Sequence, residues 1–337
     1  MSEPILVTGA AGFIGFHVAA RLLEAGHRVC GLDSLNDYYD PALKEDRLSL
    51  LKQNPQFTFE KLDLADRVGV AGLFERHRFP FVVHLAAQAG VRYSLGNPHA
   101  YVDANLMGFA NILEGCRHHG CGHLVYASSS SVYGANTRLP FRTSDNVDHP
   151  LSFYAATKKA NELMAHSYAH LFGLPSTGLR FFTLYGPWGR PDMAIWLFTK
   201  AIFAEEPIRL FNHGRMQRDF TYVEDATEAI VRLIDHVPPR DPNWSGDEPN
   251  PATSLAPWRL YNIGNSSSVE VSTVVTLLEQ AIGKKAEVHY EAMQPGDVPV
   301  TCADVSALMA AVGFRPNTPI EDGIERFVAW FRSYHRL

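Results

Sequence analysis

A glycine-rich stretch opens the chain, with the sequence Ile5-Leu-Val-Thr-Gly-Ala-Ala-Gly-Phe-Ile-Gly15. It predicts a short buried strand that runs through a turn into a helix ending near Gly26. Glycines in such a turn let the backbone approach a pyrophosphate and pack the helix against the sheet, with the helix N-terminus facing the anion. The spacing is G-x-x-G-x-x-G rather than the more familiar G-x-G-x-x-G. A dinucleotide is therefore expected here, and a glycine turn without a ligand is the alternative. The expected contacts are Gly9, Gly12, Phe13, Ile14 and Gly15.

The second predicted strand, 28–32, ends at an acid, Asp33. A carboxylate at this position can bind the adenosine ribose hydroxyls and would repel a 2′-phosphate. The sequence therefore favours NAD over NADP as the cofactor.

Composition limits the class of protein. The chain has 337 residues, 46% of them hydrophobic and 20% charged, which is typical of a globular protein with one large core or two lobes. Its net charge of −6 argues against nucleic acid or an anionic membrane surface as the main partner. The four cysteines, Cys30, Cys116, Cys121 and Cys302, lack the spacing of a metal site, so no metal is expected. With no signal peptide and no long apolar run recognised, a cytoplasmic location is expected.

Acids and small residues follow two further predicted strands. Asp63, after strand 57–62, can reach an adenine amino group, although a surface-loop aspartate is an equal alternative. After strand 81–85, small residues let the backbone lie against the cofactor ribose and phosphate, and Arg92 points the same way. Strands alternating with helices predict a Rossmann-type, doubly wound parallel α/β sheet whose ligands lie beyond the strand carboxyl ends. The other cofactor contacts predicted in this half of the chain are Asn36, Leu64, Leu85, Ala86 and Ala87.

Tyr154 and Lys158 lie four residues apart in a predicted helix, 152–172, and so share one face of it. A nearby ammonium favours the phenolate, so Tyr154 could take a proton from a hydroxyl group. Ser129, in a run of four serines after strand 123–127, could hydrogen-bond the same hydroxyl. By itself this spacing also fits a solvated helix, and the glycine turn supplies the support for a catalytic role.

The regular alternation loosens beyond residue 175. Strand 177–183 is followed by an aromatic loop, 184–193, a helix at 194–205 and an excursion loop at 237–257. We therefore predict a cofactor-binding domain at 1–178, to which 220–262 returns. A smaller C-terminal α/β lobe for the substrate is predicted at 179–219 and 263–337.

Together these motifs resemble the extended short-chain dehydrogenase/reductase family of nucleotide-sugar enzymes over nearly the whole length. Within that family, the similarity is strongest to members that epimerise UDP-glucuronate to UDP-galacturonate at carbon 4. It rests on segments 36–40, 86–92, 128–134 and 180–193. The resemblance implies a tightly held NAD that removes hydride from carbon 4 and returns it to the other face. It also implies Tyr154 as acid/base, Lys158 on the nicotinamide ribose and Ser129 on the 4-oxygen.

Departures within the family favour a uronate. Galactose epimerases usually carry Asn where this chain has Thr183, and Arg190 offers a fork for a carboxylate. Related decarboxylases and dehydratases carry acids where this chain has Ser130 and Ser131, and a serine cannot replace those acids. The alternatives are a decarboxylase or dehydratase of this family, another epimerase of this fold, or a non-catalytic NAD-sensing module. A core role for Thr183 and a solvated role for Arg190 also stay open. The predicted substrate-binding residues are Arg92, Ser129, Ser130, Ser131, Thr183, Arg190, Arg218 and Asp297.

The resemblance also implies a homodimer. Helices near 98–117 and 152–172 are similar to those of the family's four-helix interface. The small and apolar residues expected there are Ala104, Leu106, Phe109, Leu163, Met164 and Phe172.

Overall fold

A computed structural model describes residues 3–293 and 297–337. Gln294, Pro295 and Gly296, which precede the predicted substrate residue Asp297, lie outside the described residues.

Twelve strands are present in the described part of the chain. They are β1 (Ile5–Thr8), β2 (Val29–Asp33), β3 (Phe57–Lys61), β4 (Phe81–His84), β5 (His123–Ser129), β6 (Ser176–Phe181), β7 (Thr183–Tyr185), β8 (Ile208–Phe211), β9 (Gln217–Tyr222), β10 (Trp258–Ile263), β11 (Ser268–Glu270) and β12 (Val288–Glu291).

Twelve α-helices are present in the same ranges. They are α1 (Phe13–Glu24), α2 (Pro41–Leu51), α3 (Arg67–Arg76), α4 (Tyr93–Gly96), α5 (Pro98–Tyr101), α6 (Gly108–His118), α7 (Phe153–Phe172), α8 (Ala194–Ala204), α9 (Val223–Ile234), α10 (Val271–Ile282), α11 (Ser306–Val312) and α12 (Ile320–His335). None of the described helices is long and apolar enough to span a membrane.

The central sheet has seven parallel strands in the order β10-β6-β5-β4-β1-β2-β3. The strand order reverses at β1, whose Val7 lies opposite Gly31 of β2 and Val83 of β4. Strands β1 and β2 are buried along their whole length, as expected for a parallel sheet covered on both faces. The predicted doubly wound α/β fold is confirmed.

Two hydrophobic clusters cover the faces of this sheet. One packs α1, α9 and α11 against it, and the other packs α3, α6 and α7. A third cluster joins α8, α10 and α12 to two smaller sheets, ordered β11-β9-β7 and β12-β8. This third cluster is the core of the smaller lobe. Strand β10 pairs with β6 in the large sheet, as the expected return of 220–262 requires, although the exact domain boundaries stay a prediction.

Two predicted elements are interrupted. The predicted strand 177–183 divides at Phe182, whose N–H donates to the Ile263 carbonyl, and β7 then joins a different sheet. The predicted helix 98–117 contains a π-helical segment, Val102–Met107. Insertions of this kind often occur at functional sites because they turn one side chain inward. Here the segment contains the buried Asn105, which bonds both backbone groups of Gln88.

One predicted interface residue proves to belong to the core. Phe109 is fully buried and stacks on His84, because the inner face of α6 packs on the sheet. Leu163 and Phe172 are exposed, at 59% and 43% of their surface. They remain the predicted interface residues best placed to contact a second subunit.

Candidate active site

A cavity of about 460 Å³ lies at the carboxyl ends of the central strands, where β1 meets β4 and β2. The glycine turn, the residues after β4 and the serine run form one part of its wall. Tyr154, Lys158, the start of β7, Asp297, Val298 and Thr301 form further parts of it. This is the switch point of the sheet, where ligands bind in doubly wound folds.

The glycine turn packs so closely on neighbouring backbone that it leaves no room for side chains at Gly9 and Gly15. Gly9 has φ of +71°, and a Cβ added there would lie 2.8 Å from the Ala86 backbone nitrogen. A Cβ on Gly15 would lie 2.0 Å from the Gly9 carbonyl oxygen. Helix α1 begins after Gly12 without a side-chain cap, so its first N–H groups are available to an anion. Phe13 and Ile14 also line the cavity, and this turn fits a dinucleotide pyrophosphate.

Asp33 ends β2 in the cavity wall. Its carboxylate accepts the N–H of Ala11 at 3.1 Å and the N–H of Leu35 at 2.9 Å. These bonds hold the acid beside the glycine turn, where it can accept ribose hydroxyls. Asn36 also lines the cavity, and its side-chain oxygen accepts a 2.6 Å hydrogen bond from Lys44.

The remaining predicted cofactor contacts divide into two groups. Leu64, Leu85, Ala86 and Ala87 line the cavity. Asp63 is not in the described cavity wall, and its exposed carboxylate accepts the N–H of Ala65 at 2.9 Å. Only Oδ1 takes part in that bond and the neighbouring Leu64 lines the cavity, so the contact of Asp63 with the adenine stays a prediction. An aspartate at the end of a strand readily binds its own backbone two residues on.

Tyr154 and Ser129 lie together in the cavity wall, where an interaction with the Ser129 side chain lowers the pKa of the phenol. Ser129 Oγ also accepts the N–H of Ser131 at 3.2 Å, which leaves its own proton for another acceptor. Burial raises the pKa of Tyr154, while the Ser129 side chain and the charge of Arg190 lower it. Arg190 is thus the cation that favours the phenolate in this structure. The sequence alone predicts Lys158 as the cation that stabilises the phenolate.

Lys158 is almost fully buried one helical turn beyond Tyr154. Burial lowers its pKa to about 8, and the charge of Glu162 acts against this shift. Its ammonium donates to Asn161 Oδ1 at 3.4 Å. Glu162 in turn accepts from Arg180 at 2.8 and 2.9 Å and from the Ser128 hydroxyl at 2.7 Å. This buried network fixes the end of β5 against α7.

The predicted substrate residues occupy the other side of the cavity. Ser130, Ser131, Thr183, Arg218 and Asp297 all line it. Arg92 is not in the described wall but forms a 3.1 Å ion pair with Asp297. Its influence on a ligand would therefore pass through that carboxylate.

Arg190 lines the cavity, and one edge of its guanidinium binds an acid. Nε and Nη2 donate to the two oxygens of Asp192 at 3.0 and 2.6 Å. Asp192 also accepts from the Tyr38 hydroxyl at 3.1 Å. Asp192 binds only the Nε and Nη2 edge, and a guanidinium has five N–H donors, so the contact of Arg190 with a substrate carboxylate stays a prediction that would use its other N–H groups.

Sequence reasoning missed several residues of this site. Glu162 could have been found, because it follows Lys158 by four residues on the same helix face. Asn161 could have been found in the same way, because it follows Lys158 by three residues, whereas Tyr38 carries no local signal because its partner Asp192 is distant in the chain. In the described ranges, no group of three or more His, Cys, Asp or Glu side chains could hold a metal ion.

Comparison with known families agrees with this geometry. Residues 5–243 match the NAD dependent epimerase/dehydratase family. The chain belongs to this family.

Relatives at full length support the same assignment. Protein CapI of Staphylococcus aureus is 56% identical, with 98% of this chain and 99% of that protein covered. A probable UDP-glucuronate 4-epimerase of Rhizobium meliloti is 49% identical, covering 98% of this chain and 97% of the relative. Among solved structures, the UDP-glucuronic acid 4-epimerase of Bacillus cereus, in complex with UDP-glucuronic acid and NAD, is similar with a TM-score of 0.85. That similarity has 30% identity and covers 98% of this chain and 99% of the other.

Proposed function

We propose that this member of the family is an isomerase that converts UDP-glucuronate to UDP-galacturonate by NAD-dependent epimerisation at carbon 4. The observation that carries the proposal is that Tyr154, Ser129 and Lys158 line the same cavity as the glycine turn. The names of the Rhizobium and Bacillus relatives support the same substrate.

In the proposed mechanism, bound NAD supplies hydride acceptance and return at carbon 4. Gly9, Gly12 and Gly15 admit its pyrophosphate, and Asp33 holds a ribose hydroxyl. Tyr154 takes the proton of the 4-hydroxyl and later returns it. Ser129 donates a hydrogen bond to the same oxygen. The charge of Arg190 favours the ionised phenol against the cost of burial, and Lys158 would hold the nicotinamide ribose.

The polar groups near the sugar favour epimerisation over loss of carbon dioxide or water. The only carboxylates in the described cavity wall are Asp33, beside the glycine turn, and Asp297, paired with Arg92. Ser130, Ser131 and Thr183 offer hydroxyls that can bind a uronate without adding an acid or base. Elimination of water needs such groups at carbons 5 and 6, so a dehydratase is a weaker candidate. A decarboxylase is also weaker, because related decarboxylases carry acids where this chain has Ser130 and Ser131.

The proposal also covers the oligomeric state, the cellular location and the domain boundaries of the protein. Exposed Leu163 and Phe172 on α7 support a homodimer through α6 and α7. All four cysteines are free, which suits the reducing cytoplasm. We also propose a cofactor domain at 1–178 with 220–262, and a sugar-binding lobe at 179–219 and 263–337.

The test is NMR of the product formed from UDP-glucuronate by the purified protein, with and without added NAD. The expected product is UDP-galacturonate. A UDP-pentose would identify a decarboxylase, and absence of any conversion with NAD present would contradict a catalytic role. Light scattering at the mass of one 37.5 kDa chain would contradict the dimer.

A further inference from the structure

Arg47 is a fully buried cation outside the cavity wall that joins two functional loops. Its Nη1 donates to the Ala11 carbonyl at 2.9 Å and to the Tyr39 hydroxyl at 2.8 Å. Its Nη2 donates to the carbonyls of Trp188 and Gly189 at 2.7 and 3.1 Å. One planar guanidinium therefore holds the glycine turn on one side and the loop after β7 on the other.

On the cofactor side, Arg47 binds Ala11, whose two backbone groups have different partners. The carbonyl of Ala11 accepts from Arg47, while its N–H donates to Asp33. Ala11 lies between Gly9 and Gly12, which a pyrophosphate must approach. A dinucleotide bound to the turn and to Asp33 would thus restrain the peptide groups that Arg47 contacts.

On the substrate side, Arg47 holds an unfavourable backbone conformation. Trp188 has φ of +60°, in the left-handed region that a bulky side chain rarely adopts. Its ring packs on Phe16 and Trp330, with ring centres 5.6 and 5.2 Å apart. The carbonyls of Trp188 and Gly189 are fixed by Arg47, and Arg190 follows directly.

We propose that Arg47 is a positioning residue that couples occupancy of the dinucleotide turn to the conformation of segment 186–193, and thereby to the placement of Arg190 beside Tyr154. This rests on the proposed function for its dinucleotide and its sugar substrate. The arginine fork suits the task because two donors point to the two loops at once, which a lysine ammonium cannot reproduce.

The experiment measures hydrogen exchange of backbone amides in 9–15 and 186–193, in the full chain with and without saturating NAD. In the wild type, NAD should slow exchange in both segments. In Arg47→Met, which keeps most of the side-chain volume, NAD should still slow exchange in 9–15. The factor by which NAD slows exchange in 186–193 should be about fivefold or more smaller than in the wild type. Arg47→Lys should show the same loss, and it decides the question if Arg47→Met does not fold.

His123→Leu is the matched control. His123 is also fully buried and bridges two segments, binding the Ile234 carbonyl and the Thr177 hydroxyl, both at 2.9 Å. It begins β5, at the end of the sheet away from the cavity, so its loss should lower stability while leaving the NAD effect on 186–193 intact.

Three outcomes would overturn the coupling. They are unchanged protection of 186–193 in the Arg47 variants, equal loss of protection in His123→Leu, and no NAD effect on this segment in the wild type. The measurement involves no sugar turnover, so a failure of the proposed epimerase activity is recognised separately by the product assay. Failure of NAD to protect 9–15 would show that the dinucleotide site itself is wrong, and would overturn both proposals.

Discussion

Arg190 donates two hydrogen bonds to Asp192, and this pair lies beside the phenol of Tyr154. Asp192 is in turn held by the Tyr38 hydroxyl, which comes from the loop after β2. Burial opposes its ionisation, but the hydrogen bonds and charge of Arg190 hold the pKa of Asp192 below its usual value. The cation that assists Tyr154 is therefore partly neutralised by its own partner.

Asp192→Asn should therefore shift the activity profile to lower pH. The groups facing Tyr154 are Ser129, Arg190, the Tyr101 ring and Lys158 on its own helix. Without the Asp192 charge, Arg190 favours the phenolate more strongly, so the pKa of Tyr154 should fall. Arg190→Gln should move the profile to higher pH. The measurement is the pH dependence of kcat/KM. Equal profiles for the two variants would show that the charge of Arg190 does not affect the pKa of Tyr154.

Tyr154→Phe should lower kcat by about 10²–10⁴-fold, because it removes the proton acceptor and little volume. Retention of NAD should be unchanged. Tyr168→Phe is the control, since Tyr168 lies on the same helix but bonds Glu114 at 2.7 Å. Near-normal turnover in the Tyr154 variant would mean that another group transfers the proton.

Retention of NAD should decline as pH rises through about 8, the value to which burial lowers the pKa of Lys158. Above that pH the side chain is neutral and holds the nicotinamide ribose less strongly. Lys158→Met should retain little NAD at any pH. The readout is NAD remaining after gel filtration, and a flat wild-type profile would exclude this role for the Lys158 charge.

Thr183→Val should raise KM for UDP-glucuronate by about tenfold to a hundredfold, the loss expected for a hydrogen bond to a charged group. KM for UDP-glucose should change less. Thr199→Val is the matched control, because the buried Thr199 hydroxyl has no hydrogen-bond partner in the described structure. An equal change for both sugars would show that Thr183 does not contact the carboxylate.

Two buried histidines should make the protein less stable in mild acid. Burial lowers the pKa of His84 to about 3 and that of His123 to about 4. The unfolded chain therefore binds more protons below about pH 6.5, and the free energy of unfolding falls as pH decreases from there towards 4. Each histidine should contribute up to about 1.4 kcal/mol per pH unit.

Urea unfolding of the wild type and His123→Leu at several pH values tests this sign. The variant should be less stable at every pH. Its free energy of unfolding should fall less steeply as pH decreases from about 6.5 towards 4, because it takes up about one proton fewer on unfolding than the wild type does. Identical slopes would show that His123 does not remain neutral in the folded protein.

Much of the site follows from short-range pattern. The glycine turn, the acid ending β2 and the four-residue spacing of Tyr154 and Lys158 each depend on neighbours within one strand, turn or helix. Parallel strands then bring their carboxyl ends to one edge, so the cavity could be predicted without coordinates. Ser129 was found in the same way, since it ends β5 beside β4 and β6.

The sequence by itself determined the parallel sheet, the dinucleotide turn and the Tyr154–Ser129–Lys158 group, because strand ends and helix faces impose those positions locally. Only the tertiary structure decided that Phe109 is core and that the Tyr38 hydroxyl binds Asp192 next to Arg190. It also joined Arg47 to Gly189, 142 residues apart in the chain. These features depend on how separate helices, strands and loops pack against each other. The spacing of residues along the chain does not predict them.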